Sequence, residues 1–459
     1  MDSDLRVKSI TVDFEPCVAR TPLKFGGVVM DSLDFCRVQA TVENRRGKTA
    51  TGWGGIFMAD SWAWPTAEVD NSTKTAVMEH IVQAYADSVL DVKEFAHPID
   101  TFMTLETQLA AINDEAVAEF PPPLKMTFLG ALVCASPVDA ALHDAFGNVN
   151  GIDSYDGYGP DFMSDLSRYL GPEGAGKYVQ DYLRPEYLPE VPVFHLVGGL
   201  DKLTRAEKDG NDPQDGGPVS LDEWIAQDGV FCLKVKLRGV DLPWDIERVL
   251  AVYEVGREAL AKQGQEELWL TADTNEMCES PDYLVEMLKR VQEKSPECYD
   301  RLLYLEQPTE RDLEAHRFDM RELSKLKPVL LDESLTSLEM MDLGLELGWS
   351  GIALKTCKGH SMDMILAAKA RELGVPYALQ DLTNPSLALI HAVGMGARLY
   401  TMMGLEANSR QFFPAATPPG EQAVHEGLFR IHRGMASTAS LQGTGLGYQM
   451  DKVLSYKGD

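Results

Sequence analysis

Apolar and polar positions along the chain follow two rhythms. In the first part, residues 10–14 and 35–43 are β-rich, and Asn44-Arg45-Arg46-Gly47 reads as a hairpin turn leading into Thr49-Ala50-Thr51-Gly52. From about 74–90 and 105–119 the apolar spacing turns helical, and 137–147 forms a strong helix that ends at Gly147. Residues 1–150 therefore read as one α+β domain. Segments 59–71 and 150–187, rich in Trp, Pro and Asp, read as insertions, and 151–190 connects to the next domain.

After Pro192 short apolar runs alternate with helical stretches. Strands are predicted at 193–197, 230–237, 268–272, 302–305, 329–331, 352–354 and 377–379. Helices are predicted at 244–262, 283–293, 338–347 and 362–373. This repeated βα unit predicts an α/β fold with a (β/α) barrel over 191–410, whose functional face lies at the strand C-termini. The Asp/Gly/Pro-rich stretch 209–218 is expected to be a solvent-exposed loop.

What closes those runs carries the chemistry. Lys234 and Lys236 close one, then Asp273, Glu306, Asp332 and Lys355 close others, at steps of 37, 33, 26 and 23 residues from Lys236 onward. Acids at the ends of three successive strands can converge on one point. Three carboxylates leave coordination positions for water and substrate, which suits Mg²⁺; the plainer alternative is that each caps the helix after it. Asn275 shares a face with Asp273 as an orienting or capping residue, and Glu333 competes with Asp332 as third ligand. Lys234 and Lys236, two apart, point the same way into the barrel mouth. A buried lysine needs work or a partner. Beside a cation or another lysine its pKa falls and it can act as a base; a structural pairing with the acids is the other reading.

Composition narrows the partners. With 459 residues, 44% of them hydrophobic, the chain can bury a large core in two units. A formal net charge of −29 argues against nucleic acid and anionic membrane surfaces. The best apolar stretch, 129–142, is interrupted by Pro137 and Asp139, and Met1-Asp2-Ser3-Asp4 lacks the pattern of a signal peptide. Seven scattered cysteines without a Cys-x-x-Cys suit reduced thiols and a cytoplasmic location.

The order Lys-x-Lys, Asp-x-Asn, Glu-Gln-Pro, Asp-Glu-Ser, then Ala-Leu-Lys-Thr-Cys-Lys-Gly resembles the enolase superfamily, on its muconate-lactonizing-enzyme-like branch. Residues Arg20 to Gly26 look like the substrate loop of the family's capping domain. Ala140-Ala141-Leu142-His143-Asp144 looks like its helix motif, and 443–447 like the segment by which 411–459 returns to that domain. The resemblance implies a modified barrel with an N-terminal capping domain, and Mg²⁺ held by Asp273, Glu306 and Asp332. It implies Lys236 as base on one substrate face, assisted by Lys234, and Lys355 on the other. The shared step would be removal of the proton α to a carboxylate through a metal-stabilised enediolate, a pattern the enolase superfamily exemplifies. The outcome would be racemisation or epimerisation, or cycloisomerisation, with sugar-acid dehydration as the rival. The partner would be a small carboxylic acid, and a homo-oligomer is expected.

This chain lacks an Asp–His pair at its sixth and seventh strands; His360 and His391 read as structural. Asp381 and Glu406, after the seventh and eighth barrel segments, are candidates for substrate contact, as are Lys24 in the capping loop and Trp62 and Trp64 in the 59–71 insertion. A metal-dependent barrel hydrolase is disfavoured because metal-activated water usually sits among histidines, and His195 lies within the first strand rather than at its end. A binding protein without catalysis would have little reason to keep the lysine–carboxylate set.

Overall fold

The computed structural model describes residues 1–25 and 28–458. Its N-terminal sheet is antiparallel, in the order β1 (Leu5–Phe25), β2 (Val28–Asn44), β3 (Thr49–Phe57). The β2–β3 turn closes where expected, because the Asn44 side-chain oxygen accepts the Arg46 and Lys48 amides at 3.1 Å and Gly47 takes φ +74°. β1 and β2 run far beyond the predicted strands, with a register shift between Val18 and Leu23. The segment from Arg20 to Phe25 is therefore strand rather than loop; Gly26 lies outside the described residues. Arg20 grips Asp215 through two bonds of 2.5 and 2.7 Å and donates to Pro218 O at 2.9 Å. The 209–218 loop is solvent-facing as expected, and Arg20 ties it to the capping hairpin.

Three helices cover this sheet: Asn71–Asp91, Pro98–Ala116 and Phe128–Asn150. Asp70 caps the first by accepting the Thr73 amide, and Pro98 opens the second where its missing N–H costs nothing. The third extends well beyond the predicted 137–147 and runs straight through Pro137. Proline removes the bond to the Val133 carbonyl, and the Ser136 hydroxyl supplies a replacement at 2.9 Å. β3 lies so close to this helix that a Cβ at Gly54 would fall 2.0 Å from Pro137 O.

Eight parallel strands then close into a barrel: β4 (Glu190–Val197), β5 (Cys232–Lys236), β6 (Trp269–Asp273), β7 (Leu302–Glu306), β8 (Val329–Leu331), β9 (Gly351–Lys355), β10 (Tyr377–Gln380) and β11 (Leu405–Glu406). β11 pairs back onto β4, and β12 (Met435–Ser437) adds antiparallel to β4. Helices Leu242–Ala261, Asp282–Lys294, Leu338–Glu346, His360–Leu373 and Ser386–Arg398 fall between strands. The chain's end returns to the capping domain, where the Leu446 amide donates to Asp144 at 2.7 Å. The seven cysteines are buried and free. Among the described residues, no helix is long and apolar enough to cross a membrane.

Candidate active site

Parallel pairing sets the strand ends level. Lys236 stands beside Asp273 and Asp273 beside Glu306 in register, while Lys355 stands beside Gln380. Side chains two apart share a face, so Lys234 and Lys236 both reach inward. Lys234 Nζ donates to Glu306 Oε1 at 2.7 Å, Glu406 Oε2 at 3.0 Å and Gln380 Oε1 at 3.1 Å. Lys236 Nζ lies 2.5 Å from Asp273 Oδ2, and Lys355 Nζ lies 2.6 Å from Asp332 Oδ2. In an eight-stranded barrel β5 and β9 are four strands apart. Lys236 and Lys355 therefore face each other across the mouth.

Carboxylates surround Lys234 and Lys355. Burial opposes the charge on Lys234, yet Glu306, Glu406 and Asp273 hold it well above the ordinary lysine value. Burial likewise opposes Lys355, and Asp332 outweighs it upward. In return, against the cost of burial, Lys355 and Lys358 hold the Asp332 carboxyl far below the usual carboxylate range. Lys236 and Lys234 hold Asp273 down in the same way.

Asp273, Glu306 and Asp332 offer the hard oxygen donors that Mg²⁺ takes. Glu306 Oε2 is buried without a partner, an atom free to bind a cation. Among the described residues no three Asp, Glu, His or Cys side chains are drawn together as a ready cage; lysines engage the three acids instead. As three carboxylates at the ends of successive strands, the donor set has the chemistry such an ion takes. Asn275 donates its amide N–H to Asp273 Oδ1 at 2.7 Å and its side chain to Glu333 Oε1 at 3.3 Å. Glu333 also accepts Trp62 Nε1 at 2.9 Å, and burial together with Asp332 pushes it up to about 8.

The remaining candidates separate cleanly. A cavity of ≈ 50 Å³ is lined by the three lysines, Asn275, Asp381 and Glu406, with Trp62 from the capping domain. Lys355 Nζ sits 4.5 Å from the centre of the Trp62 ring. Trp64 serves packing: it donates to Leu124 O at 2.7 Å and meets Phe120 edge-on. Lys24 does not line the cavity, whereas Leu23 and Met30, paired across the hairpin, do. Asp381, pushed up to about 7 by burial and Glu406, accepts both nitrogens of Asn384. His195 is buried against Arg410 and Gln411. His360 and His391 bond to each other at 2.7 Å. Sequence reasoning missed Lys358, which donates to Asp332 O at 2.6 Å and Oδ1 at 3.1 Å. A second lysine three residues after Lys355 was the available signal.

Residues 219–453 match the family model described as enolase C-terminal domain-like. No curated protein matches the chain. Among solved structures, it is similar to an enolase from Mycobacterium smegmatis complexed with tartrate (16% identity, 98% of this chain and 91% of that one, TM-score 0.62). It is also similar to a muconate lactonizing enzyme from Pseudomonas fluorescens complexed with muconolactone (14%, 98% of each chain, 0.59). A third is a dipeptide epimerase from Enterococcus faecalis complexed with Mg and L-Leu-L-Tyr (15%, 87% and 90%, 0.55). At these identities the structures speak for the fold.

Proposed function

This chain belongs to the enolase superfamily, a family of isomerases and lyases, and we propose that it removes the proton α to a substrate carboxylate by means of two opposed lysines. The single observation carrying this reading is that Lys236 and Lys355, on strands four apart, line one cavity from opposite sides. A substrate carbon held between them can lose a proton to one lysine and receive one from the other, giving racemisation or epimerisation. With one lysine as base the same step leads to cycloisomerisation. Asp273, Glu306 and Asp332 would hold Mg²⁺, which supplies positive charge against the second negative charge of the enediolate. Lys234, gripped by Glu306 and Glu406, is placed to hold the substrate carboxylate beside Lys236. Elimination from a sugar acid ranks second, because Leu23, Met30, Trp62, Leu196 and Leu382 supply apolar wall where hydroxyls would need partners.

The test is α-proton exchange in deuterated water, followed by NMR with Mg²⁺ and a panel of chiral carboxylic acids. Lys236→Ala and Lys355→Ala should each cut exchange from one substrate face by about 10³-fold per folded molecule. Exchange that survives both substitutions would sink the two-lysine assignment.

A further inference from the structure

Trp62 reaches the barrel mouth from the capping domain, on the short helical turn Asp60–Ala63 that follows β3. The turn is pinned from behind, where Asp60 accepts the Ser61 hydroxyl at 3.0 Å and the Thr75 hydroxyl of the Asn71–Asp91 helix at 3.1 Å. The barrel holds it from the front. The Trp62 indole N–H donates to Glu333 Oε1 at 2.9 Å, and its carbonyl accepts Arg311 Nη1 at 3.2 Å. Glu276 in turn clamps Arg311 through bonds of 2.8 and 2.5 Å. These bonds fix the plane of a buried ring.

That ring faces Lys355. The ammonium lies 4.5 Å from its centre, a distance at which the negative face of an indole attracts a cation. The two lysines across the mouth differ here. Lys236 bonds to Asp273, and among the described residues no aromatic ring faces its ammonium. Lys355 bonds to Asp332, but that carboxylate is divided: its other oxygen accepts Lys358 at 3.1 Å. The ring is the contact that Lys355 does not share. An ammonium on a flexible stem has to be confined before it can meet a carbon in one orientation.

We propose that Trp62 is a positioning residue for Lys355. Its ring, fixed by Glu333 and Arg311, holds the ammonium against one wall of the cavity, so the capping domain completes one half of the barrel's acid–base pair. This rests on the two-lysine reading. Without the ring, Lys355 loses its fixed placement while Lys236 keeps Asp273.

Deuterium uptake, measured separately for the two enantiomers of each acid in the exchange panel, mandelate and N-acetylleucine among them, reads the two faces. Lys355→Ala identifies the enantiomer that Lys355 serves. The ratio of Lys355-side to Lys236-side exchange within one protein cancels any loss of folding or of substrate binding common to both faces. Trp62→Leu should lower that ratio about tenfold. Trp62→Phe, which keeps a ring but not the bond to Glu333, should lower it less. Site-specific replacement of Trp62 by fluorotryptophans of increasing fluorine content keeps the shape and the N–H while draining the ring face of negative charge. The ratio should fall with each added fluorine, and this series decides alone where the leucine variant does not fold. A ratio unchanged by Trp62→Leu, a greater loss in Trp62→Phe than in Trp62→Leu, or a flat fluorine series would overturn the positioning role. Exchange of neither enantiomer, or of only one, in the unaltered protein defeats the two-lysine reading instead, and the positioning role with it.

Discussion

At the barrel mouth, Lys234, Lys236 and Lys355 line a cavity with Asp381 and Glu406, and Glu306, Asp273 and Asp332 pair with those lysines. Beneath the capping helix Phe128–Asn150, four histidines and a tyrosine are buried just as deeply. The second cluster is closed by its own hydrogen bonds. Tyr158 bridges His143 and His360 at 2.7 and 2.8 Å, His360 meets His391, and His143 reaches Ser361 at 2.8 Å, which in turn donates to Asp139. Burial holds His97 and His391 down to about 3 and His360 well below its ordinary value, so these imidazoles carry no charge at neutral pH. Their rings pack on one another, His143 against His360 at 4.2 Å. At the mouth, by contrast, Lys234, Lys355, Asp273 and Asp332 are held in their charged forms, burial pushes Glu306 well above its ordinary value, and Glu306 Oε2 has no partner. Histidine content does not mark the site in this fold. Retained charge facing a cavity does, because a structure has no reason to keep that cost unless a ligand offsets it.

The comparison can be broken at either cluster. Beyond the two lysines themselves, the largest effect should come from Glu306→Gln, which replaces a carboxyl oxygen with an amide nitrogen. Mg²⁺ affinity, read by calorimetry, should fall about 100-fold or more with little change in the melt; unchanged affinity would remove Glu306 from the ligand set. Tyr158→Phe should do the reverse. It strands two buried ring nitrogens, costing about 2–3 kcal/mol of stability, while exchange per folded molecule stays the same. A collapse of exchange at constant stability would mean that the histidine cluster serves the reaction.

A pH titration of stability comes next. The unfolded chain protonates its histidines below about 6.5, whereas His97 and His391 in the fold stay neutral down to about 3. Protons thus favour the unfolded state in that window. Stability is full above pH 6.5 and is lost as pH falls toward 3, by about 1.4 kcal/mol per unit for each such group. Melting temperatures that stay flat from pH 7 to 5 would contradict the neutral assignment. Smallest of all, Lys24→Ala should leave melt and exchange nearly unchanged, since the cavity wall at that point belongs to Leu23 and Met30. A marked rise in KM would return Lys24 to the site.

Much of the barrel was legible because each strand–helix unit is local. The apolar runs from 193 to 379 each became a strand, with ends shifted by a few residues. The eighth, Leu405–Glu406, is two residues long and leaves no periodicity to read. The capping hairpin was underestimated for another reason. Around Pro16 the chain has turn-like composition, yet Pro16 pairs with Asp34 of β2, while Arg20-Thr21-Pro22 lie in the register shift between Val18 and Leu23. Pro137 misled in the same way, because the Ser136 hydroxyl that compensates for it is a side-chain bond no periodicity reveals.

The sequence by itself determined that lysines and acids end successive strands, since the period of a strand and the residue closing it are local properties. Strand order, once the barrel is accepted, also puts Lys236 opposite Lys355. Only the tertiary structure decided which groups meet. Lys234 finds Glu406 172 residues away because β11 closes onto β4. Trp62 comes to the mouth while Trp64 turns into the capping core, and Lys358 swings under Asp332. The direction of the lysine pKa shifts was likewise set by the fold. It depends on how many carboxylates surround each ammonium, and that number comes from non-local packing, which chain order does not carry.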